Sequence, residues 1–165
     1  MTRRGAYPGT FDPPTIAHLA IADAARRQCG LDRVDFVINR EPLGKAEVRP
    51  LAARIEMLEA IARTRSWVGV AVTDDVHLAD IAEGYDVLVL GADKWAQVLD
   101  PSFYDSPAAR DDAVRRLPRL AVAPRHGMPV PDGSDVLDVD LSHVSSTVAR
   151  AGHNELVPPE VLPLL

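Results

Sequence analysis

The residues best suited to chemistry lie near the start of the chain, where Gly9–Pro13 is followed by His18. Glycine lets the backbone turn tightly and approach a ligand closely, and Thr10 offers a phosphate both a hydroxyl and a main-chain amide. The apolar spacing that follows predicts a helix, whose start supplies unpaired amides and a positive dipole end. Because helical side chains lean towards the N-terminus, His18 can donate to a phosphate oxygen there. Alternatively, Thr15 or Asp12 only caps the helix and His18 packs beneath it.

A second chemistry-bearing stretch, Val144–Arg150, lies near the other end of the chain. Its hydroxyls and free amides at a predicted helix start, with Arg150 one turn on, form an anion cradle. Two further candidates are Lys45 and Lys94, the only lysines in the chain. A lysine ammonium is a compact point charge, and each of these two follows the end of a predicted strand. Four groups suited to phosphate binding therefore fall at strand ends or helix starts.

Apolar stretches with strand and helix spacing alternate along the chain. Strands are predicted at 4–7, 34–38, 68–72, 87–90, 120–123 and 136–139, and helices at 15–29, 51–62, 76–82, 92–99, 107–117, 146–151 and 159–164. This alternation predicts an α/β protein with a parallel sheet covered on both faces. Right-handed crossovers then give a doubly wound, Rossmann-like sheet of five or six strands in a single domain, residues 1–165. In such a sheet, ligands bind outside the carboxyl ends of the strands.

Composition limits the classes of partner. The chain has 165 residues and a net charge of −6, with 47% hydrophobic and 25% charged residues, as in ordinary soluble domains. The acidic balance argues against non-specific nucleic-acid binding, and no apolar stretch is long enough for a signal peptide or a membrane span. A single cysteine, Cys29, cannot form an internal disulfide and is interpreted as a packing residue at a helix end. We therefore expect a cytoplasmic protein with neither nucleic-acid nor membrane partners.

The two terminal motifs, in this order, resemble the signatures of the nucleotidyltransferase superfamily. The segment Tyr7–His18 is similar to its T/HxGH signature and Val144–Arg150 to its ISSTxIR signature. The resemblance covers nearly the whole chain and is strongest to the nicotinate/nicotinamide mononucleotide and phosphopantetheine adenylyltransferases. It implies transfer of an adenylyl group from ATP, or alternatively of a nucleotidyl group from CTP, to a small phosphate-bearing acceptor. An acceptor phosphate oxygen would attack the α-phosphorus and expel pyrophosphate. Related enzymes often self-associate, so a homo-oligomer is also possible.

The resemblance also implies roles for individual residues. His18, Lys45 and Thr10 would act on the transferring phosphate, Asp93 would hold the ribose, and Mg²⁺ would be carried by the nucleotide phosphates. The sequence has no carboxylate-cage motif for the metal. Residues implied to contact the nucleotide are Gly9, Phe11, Thr15, Ala17, Gly91, Asp93, Lys94, Arg125, Ser145, Ser146, Thr147 and Arg150. Arg49 and Arg54 are interpreted as structural, and Trp95 as a packing residue.

Two departures from the signatures bear on substrate. Ala17 stands where the first signature has glycine, and its methyl group could crowd an adenine ring. The segment before Val87 lacks the Ser-Tyr-Thr stretch of nicotinate mononucleotide enzymes, and the Arg-Gly-Leu-Arg stretch of pantetheine enzymes is also missing. The tail 155–159 is pantetheine-like, whereas Gly91–Asp93 and Arg125 are mononucleotide-like and favour a nicotinate/nicotinamide mononucleotide-type acceptor. The alternatives are a phosphopantetheine adenylyltransferase-like or cytidylyltransferase activity, or a non-catalytic nucleotide-binding protein on the same fold.

Overall fold

A computed structural model describes residues 1–42, 47–140 and 146–165. Within them a six-stranded sheet has the order β3-β2-β1-β4-β5-β6, and every neighbouring pair is parallel. The strands are β1 (Arg4–Gly9), β2 (Arg33–Asn39), β3 (Val68–Thr73), β4 (Val87–Gly91), β5 (Arg119–Ala123) and β6 (Asp135–Val136). The strand order reverses direction between β1 and β4, which places the topological switch point there. The predicted doubly wound fold is confirmed.

Most of the helices connect successive strands, and the last one follows β6. They are α1 (Ile16–Cys29), α2 (Leu51–Thr64), α3 (Leu78–Ile81), α4 (Ala92–Leu99), α5 (Pro107–Arg116) and α6 (Ser146–Arg150). Short 3-10 turns occur at Pro101–Phe103, Asn154–Leu156 and Leu162–Leu164. No helix in the described ranges is long and apolar enough to cross a membrane.

Both faces of the sheet are buried, because β4 alternates its side chains between two apolar clusters. Val87 and Val89 pack with α1, α2 and α6 on one face. Leu88 and Leu90 pack on the other, with residues of α3 and α4. These two valines and two leucines are each at most 2% exposed, as expected for a parallel strand covered on both sides. Cys29 is buried in the first cluster and Trp95 packs against the second, so both act as the predicted packing residues.

The end of the chain differs from its prediction. The strand predicted at 136–139 ends at Val136: the Leu137 amide makes the last bond to β5, at the Val122 carbonyl, and the Val139 amide then bonds back to the Leu137 carbonyl. Leu137 is thereby buried at 1% exposure. The closing helix predicted at 159–164 is wrong: it is a turn followed by one 3-10 turn. Pro163 lacks the amide that would donate to the residue 159 carbonyl in an α-helix over this range.

Candidate functional site

The turn after β1 is shaped by packing between Gly9 and Phe11. Phe11 has a φ of +51°, a left-handed conformation that is uncommon outside glycine. Its ring is 2% exposed and folds back over Gly9, where an added Cβ would lie 2.7 Å from the ring carbon Cζ. Residue 9 must therefore be glycine for the ring to occupy this position. The turn consequently presents Thr10 at the carboxyl end of the central strand.

His18 is held at the start of α1 by a reciprocal capping box with Thr15. The Thr15 amide donates to His18 Nδ1 at 2.9 Å, and the His18 amide donates to Thr15 Oγ1 at 3.4 Å. Because an amide can only donate, Nδ1 must accept, and the proton of the neutral ring lies on Nε2. The ring also packs edge-on against Phe11, with centroids 5.0 Å apart. The imidazole therefore presents an N–H donor from a fixed orientation.

The two terminal motifs meet in space. Ser146 Oγ, at the start of α6, donates to the Pro13 carbonyl at 2.8 Å. Arg150 Nη1 donates to the Asp12 carbonyl, and Nη2 lies 3.3 Å from Thr147 Oγ1. The start of α6 is thus fastened against the turn after β1. This contact joins residues more than 130 positions apart and places Arg150 beside the same cavity as His18.

The end of β4 contributes an acidic group, Asp93. Its Oδ1 folds back over Gly91, where an added Cβ would lie 2.6 Å away, so a larger residue at position 91 would displace this carboxylate. Its Oδ2 forms an ion pair with Arg125 Nη1, from the end of β5, at 3.2 Å. Both side chains are about half exposed, so the pair is open to exchange with the hydroxyls of a ligand. Lys94 lies next to it and bonds to Gln97 Oε1 at 3.2 Å.

These groups line one cavity of about 390 Å³, where the sequence predicts the nucleotide to bind, and it is termed here the nucleotide cavity. Its lining includes the predicted residues Gly9, Thr10, Phe11, Ala17, His18, Gly91, Asp93, Lys94, Arg125, Ser146, Thr147 and Arg150. Thr15 is fully buried and reaches the cavity only through His18. Lys45 and Ser145 lie outside the described residues. The structure therefore brings together the predicted residues that it describes, with Thr15 one layer below.

A second cavity of about 440 Å³, termed here the acceptor cavity, adjoins the first. The two share Pro8, Gly9, Thr10, Leu78 and Lys94. The outer wall of the acceptor cavity is aromatic: the rings of His77 and Tyr104 stack with centroids 4.8 Å apart and an angle of 18° between their planes. Sequence reasoning missed this wall, because a lone histidine in one loop and a tyrosine in another carry no pattern that joins them.

Arg49 and Arg54, which the sequence predicts to be structural, both contact the segment next to the site. Arg49 Nη1 pairs with the buried carboxylate of Asp12 at 2.7 Å, and the Arg49 amide bonds to the same carboxylate at 3.2 Å. Arg54 is 2% exposed and donates to main-chain carbonyls around the Thr10 turn. The spacing of these residues in the sequence contains no signal of either contact.

The phenol beneath the site is held neutral. Burial raises the pKa of Tyr7 far above its usual value, and the negative charge of Asp93 raises it further. Tyr7 is therefore unsuited to act as a base at neutral pH. Among the described residues, no group of three or more His, Cys, Asp or Glu side chains could hold a metal ion.

Comparison with known proteins identifies the family. Residues 6–151 match the family described as Cytidylyltransferase-like. The chain belongs to this family. The match spans the strands, helices and both cavities described above, so the relationship to nucleotidyltransferases expected from the two motifs is confirmed.

The curated relatives of this cytidylyltransferase-like protein include several that are named probable nicotinate-nucleotide adenylyltransferase. The chain is 28% identical over 174 residues to the probable nicotinate-nucleotide adenylyltransferase of Listeria monocytogenes serovar 1/2a, covering 94% of this chain and 89% of the relative. It is 39% identical over 64 residues to the protein of that name from Listeria innocua, covering 37% of this chain. That shorter match spans about a third of the relative's length, 34%.

Solved structures share the fold. The Plasmodium falciparum nicotinic acid mononucleotide adenylyltransferase complexed with APC superposes with a TM-score of 0.73 at 15% identity. The same enzyme complexed with NaAD gives a TM-score of 0.71, and each comparison covers 99% of this chain and 94% of that one. At this identity the likeness establishes the six-stranded doubly wound architecture.

Proposed function

We propose that this chain transfers an adenylyl group from ATP to the phosphate of a nicotinate/nicotinamide mononucleotide-type acceptor and releases pyrophosphate. The observation that carries the proposal is that two cavities meet at Thr10 and Lys94. A transfer between two bound phosphates needs such a pair of sites, with the reacting atoms held at their junction. The names of the curated relatives support the choice of acceptor.

The nucleotide cavity supplies donors for a triphosphate. His18 would donate from Nε2 to the α-phosphate, with the Thr10 hydroxyl and amide on the same group. Arg150, Ser146 and Thr147 lie on the α6 side and would hold the β- and γ-phosphates, together with Ser145. Asp93 would accept from the ribose hydroxyls after releasing Arg125, whose guanidinium could then meet phosphate. These roles rest on the lining of the cavity and on the matching positions of the two motifs.

The acceptor cavity suits a flat ring joined to a phosphate. The stacked His77 and Tyr104 offer an aromatic face, and Val76, Val98 and Ile81 add apolar surface. A ring bound there would direct its phosphate towards Thr10 and Lys94, where the two cavities join. This arrangement favours a mononucleotide over a long flexible chain, because the aromatic wall rewards a planar group.

The chemistry is a direct displacement. An acceptor phosphate oxygen forms a bond to the α-phosphorus while the bond from that phosphorus to the β-bridging oxygen breaks, and pyrophosphate leaves with the electron pair. Catalysis then depends on positioning and charge neutralisation by His18, Thr10 and Lys45 rather than on a covalent enzyme intermediate. Mg²⁺ carried by the phosphates would supply additional neutralisation.

An acceptor panel tests the proposal. The purified chain is incubated with ATP or CTP and with nicotinate mononucleotide, nicotinamide mononucleotide, phosphopantetheine or no acceptor, and pyrophosphate release is measured. We expect the fastest release with ATP and a pyridine mononucleotide. A higher rate with phosphopantetheine or with CTP would reassign the substrate. Nucleotide binding without pyrophosphate release from any pair would contradict an enzymatic role and favour a non-catalytic binder.

A further inference from the structure

Arg54 is a buried cation with an unusual set of partners. It lies one turn into α2 and is 2% exposed, yet no described carboxylate forms an ion pair with it. Burial lowers its pKa, and the negative Asp12 opposes that effect. Taking a guanidinium out of water without a paired carboxylate is unfavourable. An apolar side chain of similar length would fill the space without that cost, so Arg54 adds little stability through burial alone.

The partners of Arg54 are main-chain carbonyls from three segments that border the site. Nε donates to the Arg49 carbonyl at 2.9 Å. Nη1 lies 3.4 Å from the carbonyls of both Thr10 and Asn39, and Nη2 lies 3.5 Å from that of Arg40. The guanidinium therefore bridges the turn after β1, the carboxyl end of β2 and the start of α2. Its rigid planar fork suits this spacing, because its donors point in fixed, divergent directions.

Two of the three bridged segments line a cavity. Thr10 lies at the junction of the nucleotide and acceptor cavities, and Asn39 lines the acceptor cavity. The distance between these two segments sets how the two substrates face each other. A shift of about 1 Å in such an arrangement can cost roughly a hundredfold in rate.

We propose that Arg54 is a positioning residue that clamps the Thr10 turn to the end of β2, so that the phosphates in the two cavities are aligned for transfer. This inference rests on the proposed function for its effect on rate. The clamp itself is a property of the protein alone. The two parts can therefore be measured separately.

The test uses Arg54→Lys, which keeps a positive charge but loses the fork, and Arg54→Met, which loses both. Arg63→Met is the matched control, because Arg63 is exposed in the last turn of the same helix. In amide hydrogen exchange of the full chain, we expect segments 9–12 and 39–42 to exchange about tenfold faster in both Arg54 variants. Segment 87–91, which Arg54 does not contact, should be unchanged. If Arg54→Met fails to fold, Arg54→Lys provides the same comparison.

Steady-state kinetics give the second readout. We expect Arg54→Lys to lower kcat about tenfold or more with the KM for ATP within about threefold, because the loss falls on alignment in the transition state. Exchange and kcat equal to those of Arg63→Met would overturn the inference. So would a fall in kcat that only follows the folded fraction measured by circular dichroism. If the wild-type chain has no turnover with any acceptor, the proposed function fails, and the exchange result alone decides whether the clamp exists.

Discussion

His18 has two functions at the start of α1, and they involve different atoms. Its Nδ1 completes the capping box with Thr15, which is a contribution to stability. Its Nε2 carries the proton of the neutral ring and is the atom proposed to meet phosphate. The capping and ligand-binding interpretations considered from the sequence are therefore compatible. The same side chain can satisfy both because the imidazole has two nitrogens on opposite sides.

The two functions can be separated by substitution. His18→Gln keeps a carbonyl oxygen that can accept at this capping-box position, but it loses the imidazole. We expect kcat to fall about 100-fold, the effect typical of losing one transition-state donor, with little change in the melting temperature. His18→Ala should show the same loss of rate and an additional destabilisation of about 1 kcal/mol. His153→Gln, at an exposed histidine outside both cavities, is the control. A wild-type rate for His18→Gln would remove His18 from the chemistry.

At the scale of elements, the site depends on α6 docking against the turn after β1. Helix α6 has only five residues, too few to be stable alone, so its position is set by contacts. Ser146 and Arg150 supply two of them by donating to carbonyls of that turn. Buried Asp12, which presents one of those carbonyls, is in turn held by Arg49. The nucleotide cavity is thus lined by residues that lie far apart in the sequence.

This arrangement predicts a selective effect for Arg150→Met. If Arg150 binds the β- and γ-phosphates, its loss should raise the KM for ATP and the inhibition constant of pyrophosphate by a similar factor, roughly 10- to 100-fold. The affinity for AMP, which lacks both groups, should change little. Arg115→Met, at an exposed arginine on α5, is the control. Equal weakening of AMP binding would show instead that the substitution displaces α6 as a whole. The constants are obtained by initial-rate kinetics and by calorimetric titration.

At the scale of the whole molecule, the two cavities lie at one end of the sheet and the buried contacts of Asp35 lie at the other. The cavities lie at the carboxyl ends of the strands. Towards the amino ends, the buried carboxylate of Asp35 in β2 accepts from Arg4 at 2.6 Å, Arg33 at 2.5 Å and Tyr85 at 3.0 Å. Burial by itself would raise the pKa of Asp35, but the hydrogen bonds from Arg33, Arg4 and Tyr85 outweigh it and lower the pKa below 3.8.

The lowered pKa predicts how stability depends on pH. The folded state holds Asp35 ionised more strongly than the unfolded state does, so this contribution is present above about pH 4 and is lost as the pH falls through the folded value. Asp35→Asn should lower the free energy of unfolding by about 2 kcal/mol at pH 7, because both arginines are half exposed and screened. The difference from wild type should narrow below pH 4.

Urea denaturation from pH 7 down to pH 3 measures this dependence. Asp112→Asn, which removes an exposed partner of Arg116 on α5, serves as the control and should change stability little at either pH. An Asp35→Asn variant whose destabilisation is the same at pH 7 and pH 3 would contradict the assignment of this carboxylate as the acid-sensitive group.

Local patterns alone determined much of this protein. Continuous apolar runs such as Val87–Leu90 specify buried parallel strands, because no other element buries both faces of so short a segment. The two terminal motifs contain most of the predicted residues that line one cavity, since glycine, threonine and histidine at that spacing suit a strand end and a helix start. Hydrophobic spacing misled near the chain end, where the backbone turns after Leu137 and Pro163 lacks an amide donor.

Only the tertiary structure decided which distant residues meet. The Asp35 carboxylate lies within an apolar strand, and its partners Arg4 and Tyr85 come from other strand ends. The stacking of His77 on Tyr104 and the four carbonyls around Arg54 likewise join segments with no shared pattern. Periodicity reports which face of an element is buried, because it reflects the geometry of one helix or strand. The contacts between elements depend on crossover connections and packing, which a linear pattern does not encode.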